Sequence, residues 1–468
     1  MKRKLKLIAL LPLIILIYYP SFGSFFAADD WFHLKIIQIN IWPEFVGFFS
    51  FVQNSLTAGS YRPLSTQVYF FSLYSLFGLN QYIFHLVNLI FFTANIYLTF
   101  LLTKKLLRDE KVAYLSAFFY GLSVTHFTKM YFISAFQETL MVFWVLLCIL
   151  LFFSPGRINY IFSIICLIFG LFSKETAAVT PFILLVLHFF GKDRRFIRVL
   201  PMLILTGVYI YLRFAVFGKI QGESYIWDYA PRKLLNTSMW YVLWSFGLPE
   251  LMIDYVSSGL RILPRFFTDF PTWSKVILSF IALYFVALAA VLFRNKRLLT
   301  RELLGFSILF MGSLGPVLFL PWHKFTIELT LPFVWFAMAL AWLVSIRSQT
   351  KVFLFILAFF ALNIGTNILS YRTHYSVNRA RSAKQVYTYF TRFHPEKPIG
   401  KSFLIVSNQV PQIGPKSSSE ELSYVLSGSD FFNVLYKDPE IKVFYEGKED
   451  SDLENSIPIS ADQFLKVQ

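Results

Sequence analysis

Two adjacent carboxylates, Asp29 and Asp30, directly follow the first long apolar segment of the chain. In the stretch Ala27-Ala28-Asp29-Asp30-Trp31, the pair lies where a first membrane helix would leave the bilayer. One carboxylate could act as a general base toward a hydroxyl group, while the other orients that group or holds a cation. The alternative is a solvated pair of loop acids. The position favours catalysis at a membrane surface.

Two cationic motifs follow, each with a residue type that binds phosphate. In Tyr61-Arg62-Pro63-Leu64, the guanidinium can grip a phosphate through two hydrogen bonds, and the proline restricts the backbone that aims it. Lys174 and Glu175 interrupt two apolar segments, where the lysine offers a point charge and the glutamate can bind hydroxyl groups. The alternatives are an arginine that reaches lipid headgroups and a self-neutralising ion pair at a turn.

Other polar side chains fall within or at the ends of apolar segments, where such groups are costly unless they have a task. His85 and Asn88 share a helical face with Asn95. Interhelical hydrogen bonding is the preferred interpretation for Asn95, whereas His85 lies at the segment end where a site is expected. The remaining candidates are His126, Lys129, Gln137, Glu138, Trp322, His323, Lys324 and Glu328.

Membrane helices must position these residues. Hydrophobic residues make up 56% of the 468 residues, and the mean hydropathy is +0.57. Apolar runs of about 17–25 residues recur, which predicts a polytopic α-helical membrane protein. The net charge of +16 comes mainly from short clusters between these runs, so we expect the lipid bilayer and no nucleic acid as partner. Cys148 and Cys166 lie inside apolar runs and predict neither a disulfide framework nor a thiolate metal site.

Basic clusters predict which helix ends face the cytoplasm. Lys2, Arg3, Lys4 and Lys6 place the N-terminus inside, and the apolar stretch after them lacks a cleavage signature, so we interpret it as a retained signal-anchor helix. About eleven spans then give an N-in, C-out topology with every polar candidate on the outer side. The predicted spans are 6–22, 82–103, 112–128, 133–153, 158–173, 175–190, 199–217, 275–293, 302–320, 327–345 and 351–370.

Three domains are predicted. Residues 1–373 form the transmembrane catalytic domain, whose outer loop 23–81 carries the acidic pair. Residues 374–399 form a linking helix. Residues 400–468 form a small soluble extracytoplasmic α/β domain, with strands at 403–406 and 442–445 and a helix start at 419–422.

One further apolar stretch, 237–256, is rich in Trp and Tyr. If it crossed the bilayer, the basic cluster at 294–301 would fall outside, so we expect an interfacial or re-entrant segment.

Patterns for nucleotide binding are missing from the sequence. It contains no Walker or dinucleotide-type glycine loop, no H-E-x-x-H and no G-x-S-x-G. An outer site also has no access to cytosolic nucleotide donors. For a group transfer, an activated donor must then arrive within the membrane, and a sugar carried on a polyprenyl phosphate meets this need. A transporter would instead place its polar groups near the bilayer midplane, on broken helices.

Taken in order, the motifs resemble those of the GT-C superfamily of integral-membrane glycosyltransferases, specifically those similar to protein O-mannosyltransferases. The resemblance rests on Asp29-Asp30-Trp31, Tyr61-Arg62-Pro63-Leu64, Gly78-Leu79-Asn80 before His85-Leu86-Val87-Asn88-Leu89, and Ser173-Lys174-Glu175-Thr176. These motifs lie within residues 25–180, and the number of spans extends the likeness to about residue 370.

The resemblance implies an inverting hexosyltransferase that moves a mannose-like sugar from a polyprenyl-phosphate-linked donor to a hydroxyl acceptor. The acceptor would be a protein Ser or Thr, or a lipid or cell-surface glycan, at the outer face of the plasma (inner) membrane. The base would be Asp29 or Asp30, and the donor phosphate would be bound by Arg62, Lys174 and Lys324. The implied pocket contains Trp31, His85, Asn88, His126, Glu138, Glu175 and His323.

One departure from the family pattern concerns a metal. Related sequences often carry an acid shortly after a His in the second outer loop, whereas this chain has His126-Phe127-Thr128-Lys129. No cofactor is therefore assigned; a divalent metal, were one bound, would use Asp30 and Glu138. Lys129 would instead add a positive charge for phosphate. Two rival classes remain, a flippase or transporter of lipid-linked sugars and a membrane scaffold that presents the C-terminal domain.

Overall fold

The computed structural model describes residues 10–39, 41–57, 59–190, 196–218, 222–257, 259–399, 402–407, 417–447 and 456–465. The basic cluster at residues 2–6, the start of the first predicted span, and Lys192, Arg194 and Arg195 lie outside the described residues. Within them the chain is mostly helical, with one small sheet toward its C-terminal end.

Apolar runs form helices because a helix satisfies its backbone hydrogen bonds internally, as a bilayer requires. Arg108, with a φ of 53°, ends one long helix, and Asp109 begins the next by accepting hydrogen bonds from the N–H groups of Lys111 and Val112. The helices of this half are α1 Leu10–Tyr18, α2 Asp29–Ile36, α3 Trp42–Gly47, α4 Tyr69–Phe77, α5 Gln81–Leu107, α6 Glu110–Leu122, α7 Phe127–Tyr131, α8 Phe136–Phe152, α9 Arg157–Ser173 and α10 Thr180–Phe190.

Proline opens several helices in the second half, in the first turn, where its missing N–H costs little. The helices are α11 Leu200–Tyr211, α12 Pro231–Ser245, α13 Arg265–Asp269, α14 Pro271–Leu292, α15 Arg301–Leu318, α16 Pro332–Ser345, α17 Gln349–Thr373, α18 Tyr375–Phe393, α19 Ser418–Val425 and α20 Asp430–Tyr436. The predicted interfacial stretch 237–256 begins within α12, whose 15 residues are fewer than a bilayer crossing needs.

Six helices in the described part of the chain are long and apolar enough to cross a membrane. They are Gln81–Leu107, Ile133–Phe152, Phe196–Val216, Pro271–Leu292, Arg301–Leu318 and Gln349–Phe393. Shorter apolar helices occupy Leu10–Gly23, Arg157–Ser173, Glu175–Phe190 and Pro332–Ser345. The chain is thus a multi-pass helical membrane protein, while the eleven crossings and their orientation remain predictions.

The membrane helices pack as neighbours joined by buried amides. Helix α8 packs along α5 and α9, α6 along α5 and α16, and α14 along α17. The Asn95 side chain on α5 donates to the carbonyl of Thr139 on α8 at 2.8 Å. Asn363 on α17 accepts from the N–H of Val124 at 2.8 Å. The interhelical hydrogen bond predicted for Asn95 is confirmed.

A three-stranded parallel sheet lies where the sequence predicts α/β structure. Its strands are β1 Ser402–Val406, β2 Val443–Tyr445 and β3 Ser456–Ser460, in the order β2-β1-β3. The central strand buries Phe403, Leu404 and Ile405. Ser417 caps α19 by accepting from the N–H of Glu420 at 3.1 Å. We call the described residues from 402 onward the C-terminal module.

The C-terminal module shares one apolar core with the first loop of the chain. The rings of Trp31 on α2 and Phe431 on α20 meet edge to face, with centroids 4.8 Å apart. Lys35 and Asp430 form an ion pair of 2.7 Å at the margin of this contact. The same core contains Phe25, Phe26, Leu34, Leu422, Val425 and Leu426. The module is therefore packed directly against the helix that carries the acidic pair.

We expect Phe431→Ala to destabilise the folded protein by about 3–5 kcal/mol, because it removes a fully buried ring and leaves a cavity beside Trp31. Thermal unfolding in detergent measures this effect. Phe393→Ala is the matched control, since that ring is 59% exposed and its loss should change stability by about 0.5 kcal/mol or less. Equal effects of the two substitutions would contradict the shared core.

Candidate active site

The acidic pair begins helix α2, after a residue with an uncommon backbone conformation. Ala28 has a φ of 51°, a positive value that residues with a Cβ rarely adopt. Its N–H donates to the carbonyl of Val425 in the C-terminal module at 2.8 Å. This bond holds the turn from which the next residue, Asp29, projects.

Asp30 is fully buried and engaged by backbone and side-chain donors. One carboxylate oxygen accepts from the N–H of Ala27 at 2.9 Å, and the other from the N–H of Ser134 at 2.7 Å and from its hydroxyl. Burial raises the pKa of Asp30 to about 7, against the opposing effect of these hydrogen bonds. Asp30 thus ties the start of α2 to the segment Ile133–Ala135.

Asp29 has the opposite surroundings. Its side chain is exposed, and no hydrogen bond or ion pair engages its carboxylate among the described residues. It lies in a recess, where surrounding protein raises the pKa of Asp29 while the charges of Arg62, Arg379 and His323 act to lower it. The two acids are therefore distinct, because only Asp29 is open to a ligand.

Arg62 is held in a bidentate ion pair by Glu175. Its Nε donates to Glu175 Oε2 at 2.8 Å, and its Nη2 donates to Oε1 at 2.5 Å. Nη1 donates to the side-chain oxygen of Gln137. Pro63 and a π-helical turn at Leu64–Val68, a feature common near functional sites, follow directly. Each terminal nitrogen keeps one N–H outside these bonds, with which the guanidinium can contact another anion.

Lys174 is buried between two other carboxylates. Its Nζ donates to Glu138 and to both oxygens of Glu328 at 3.0 Å. Burial favours the neutral amine, but these carboxylates prevail and hold the pKa of Lys174 above its usual value. The alternative of a self-neutralising pair with Glu175 is wrong, because the two neighbours bind different partners.

The ionic network continues to His323, whose Nε2 lies 3.5 Å from Glu328 Oε1. The ring of Tyr225 lies 4.6 Å from the His323 ring. Burial raises the pKa of the Tyr225 phenol, and the nearby charges of Arg62 and Lys174 act to lower it. No sequence pattern indicated Tyr225, which lies in a short turn outside the apolar runs. The structure thus brings six predicted site residues into one region, namely Asp29, Arg62, Glu138, Lys174, Glu175 and His323.

Two predicted pocket residues on α5 bind backbone carbonyl groups instead. His85 Nε2 contacts the carbonyl oxygen of Ser24 at 2.9 Å, and the Asn88 side chain donates to the carbonyl of Lys129 at 2.6 Å. Both side chains are buried. Their contacts hold the segment before the acidic turn and helix α7, and they do not join the ionic network.

The other predicted residues are also placed outside the network. Trp31 belongs to the core under the C-terminal module. His126 is fully buried, with its ring 4.6 Å from that of Tyr120. Lys324 is partly buried, and its Nζ donates to Asn236 at 2.8 Å.

Lys129 is fully buried, with its Nζ 4.4 Å from the centroid of the Phe92 ring and without a hydrogen-bond partner among the described residues. Burial lowers the pKa of Lys129 well below its usual value, which favours the neutral amine. The expectation that Lys129 adds a positive charge for phosphate is therefore wrong, since it is neither accessible nor suitably charged.

The two residues considered as metal ligands are both engaged by protein donors. Asp30 is bound by Ser134, and Glu138 is bound by Lys174. In the described ranges, no three His, Cys, Asp or Glu side chains gather as a metal site would require.

Sequence reasoning missed a second polar cluster at the start of α18. Glu250 accepts from the N–H of Thr326 at 3.0 Å and from its hydroxyl, and lies 3.5 Å from His374 Nε2. Burial acts to raise the pKa of Glu250, but its bonds to His374 and Thr326 lower it below the usual value. Because Glu250 lies in a short turn and His374 at a helix boundary, no spacing in the sequence linked them.

No protein-family profile and no curated protein matches this chain. The chain is similar to the crystal structure of ArnT from Cupriavidus metallidurans bound to undecaprenyl phosphate, with 12% identity, a TM-score of 0.48, and coverage of 98% of this chain and 90% of that one. It is also similar to ArnT from Cupriavidus metallidurans in the apo state, with 13% identity, a TM-score of 0.39, and coverage of 93% and 89%.

We expect Asp30→Asn to destabilise the protein by about 1–3 kcal/mol, because the amide nitrogen of Asn would face at least one of the N–H groups that now donate to the carboxylate. Asp29→Asn should change stability by about 0.5 kcal/mol or less, since its side chain is exposed and unbonded. Thermal unfolding of both purified variants measures the difference. Equal stability would show that Asp30 does not anchor α2.

Proposed function

We propose that this protein is a glycosyltransferase of GT-C type that uses a polyprenyl-phosphate-linked sugar as donor and a hydroxyl group as acceptor. The observation that carries this proposal is the exposed, unbonded carboxylate of Asp29 in a recess where Arg62 and Arg379 supply positive charge. Such a carboxylate can accept a proton, and the nearby charges favour an anionic leaving group.

In the reaction, Asp29 accepts the proton of the acceptor hydroxyl as its oxygen attacks the anomeric carbon of the sugar. The bond from that carbon to the phosphate oxygen breaks, and both of its electrons leave with the polyprenyl phosphate. Attack opposite the leaving group inverts the anomeric configuration. Asp30 positions this base by anchoring the first turn of α2.

The predicted donor-phosphate ligands would act in different ways. Arg62 keeps free N–H groups while Glu175 fixes its plane, so it can contact phosphate directly. Lys174 contacts three carboxylate oxygens, and its role is to position Glu138 and Glu328 and to contribute charge. Lys324 shares its ammonium with Asn236 and retains hydrogens for a phosphate at the margin of the site.

The resemblance of the motifs within residues 25–180 supports a proposal for the sugar and the acceptor. We propose a mannose-like hexose as the transferred sugar, and a protein Ser or Thr, or a lipid or cell-surface glycan, as the acceptor. The site and the C-terminal module would face outward from the plasma membrane, where lipid-linked sugars reach the recess from the bilayer. A flippase for the same lipid would move the donor without using Asp29 as a base.

We expect Asp29→Asn to lower sugar transfer about 10²–10⁴-fold, because an amide cannot accept the hydroxyl proton. The measurement is transfer by the purified protein from defined polyprenyl-phosphate sugars to a panel of peptide and glycan acceptors. Asp269→Asn is the matched control, since that acid is partly exposed and pairs with Arg265 outside the site. A loss of less than about tenfold for Asp29→Asn would remove Asp29 as the base.

The pH dependence of kcat/KM tests the same base independently. Surrounding protein raises the pKa of Asp29, and only its ionised form can accept a proton. Activity should therefore fall as pH drops, with an acid limb above the value of about 4 that is usual for Asp. Unfolding followed at each pH separates this limb from loss of structure. A limb at or below about 4 would contradict the proposed surroundings of Asp29.

A further inference from the structure

Arg379 on α18 is a cation near Asp29 that is held more loosely than Arg62 or Lys174. Its Nε donates to Glu421 Oε1 at 2.9 Å. The Arg379 side chain is 27% exposed and that of Glu421 is 34% exposed. Within the described residues, this one bond joins the guanidinium to a carboxylate, and both terminal nitrogens remain available to another anion.

One turn of α19 connects this ion pair to the acidic turn. Glu421 and Val425 are four residues apart and therefore lie on one face of the helix. The Val425 carbonyl accepts from the N–H of Ala28, which precedes Asp29. The charge of Arg379 also acts on the Asp29 carboxyl. The pair therefore borders the recess that contains the proposed base.

An incoming anion can replace Glu421 more easily than the other carboxylates of the site. A partly exposed pair with one bond contributes little to stability, whereas removing a partner from a buried pair such as that of Lys174 is strongly destabilising. The Arg379 guanidinium also lies 5.4 Å from the Tyr375 ring centroid and 6.0 Å from that of Tyr424. These rings hold the guanidinium in place when its carboxylate partner leaves.

We propose that Arg379 binds the phosphate of the lipid-linked donor and that this phosphate displaces Glu421. The inference rests on the proposed function and gives the C-terminal module a part in donor binding. During transfer, the phosphodiester of the donor becomes a phosphate monoester, which keeps the electrons of the broken bond and gains a second negative charge. The two terminal nitrogens of Arg379 can hold two oxygens of this group while Asp29 holds the acceptor proton.

A binding measurement on the purified full-length protein tests this proposal without any transfer step. The probe is a polyprenyl phosphate, and the polyprenol of the same chain length, which lacks the phosphate, is the control ligand. We expect Arg379→Ala to weaken polyprenyl phosphate binding by about tenfold or more, the scale of a charge-assisted hydrogen bond, and to leave polyprenol binding unchanged. Glu421→Gln should tighten phosphate binding about threefold, because it removes the competing charge.

Arg392→Ala is the matched control, since Arg392 is an exposed arginine of the same helix. This variant should bind both ligands as the wild type does. Arg379→Lys keeps the charge without the planar fork and should bind with intermediate affinity. Thermal unfolding shows which variants are folded. Should Arg379→Ala fail to fold, the affinities of Glu421→Gln and Arg379→Lys for polyprenyl phosphate test the proposal instead. Tighter binding by the first and intermediate binding by the second would support it.

The proposal is overturned if folded Arg379→Ala binds polyprenyl phosphate as tightly as the wild type. It is also overturned if Glu421→Gln weakens binding, because Glu421 would then support Arg379 rather than compete for it. The outcome is separable from that of the proposed function. Binding can be insensitive to Arg379 while Asp29→Asn still abolishes transfer, and Arg379 can bind the lipid phosphate in a protein that transfers no sugar.

Discussion

A buried lysine ammonium is tolerated among apolar helices only when carboxylates surround it, and this requirement organises the site. Lys174 lies between Glu138 and Glu328, which come from separate parts of the chain. The neighbouring Glu175 turns the other way and fixes Arg62. Removing one member would leave an uncompensated buried charge, at a cost of about 3–5 kcal/mol. The segments that carry these groups are therefore held in one arrangement.

The fold also separates two carboxylates that are adjacent in sequence. Asp30 faces the protein and accepts from the N–H and the hydroxyl of Ser134, while Asp29 faces the recess. In the proposed reaction, a rigid acid beside an open one would let the base keep its direction while its lone pairs stay free of protein donors. The C-terminal module adds to this rigidity through its shared core with Trp31.

Much of the site could be predicted because charged residues are conspicuous in apolar sequence. The sequence singled out Asp29, Arg62 and Lys174, which the structure brings into one region, and it predicted two of the three strands of the C-terminal module but not β3. It could not assign partners, since pairs such as Arg62 with Glu175 depend on how distant helices pack. The sequence also predicted His85 and Asn88 as pocket residues, although both contact backbone carbonyl groups. A polar side chain with a structural role cannot be distinguished in sequence from one with a chemical role. The position of Arg379 near Asp29 was not predicted, because arginines are common on the polar helix α18 and no spacing distinguishes this one.

The bond from Ala28 to Val425 joins two residues at opposite ends of the described chain. During synthesis, the first loop emerges long before the helix that receives its hydrogen bond, and the strained turn at Ala28 has no partner until α19 has folded. The acidic turn therefore gains its full support only when residues near both ends of the described chain have folded against each other.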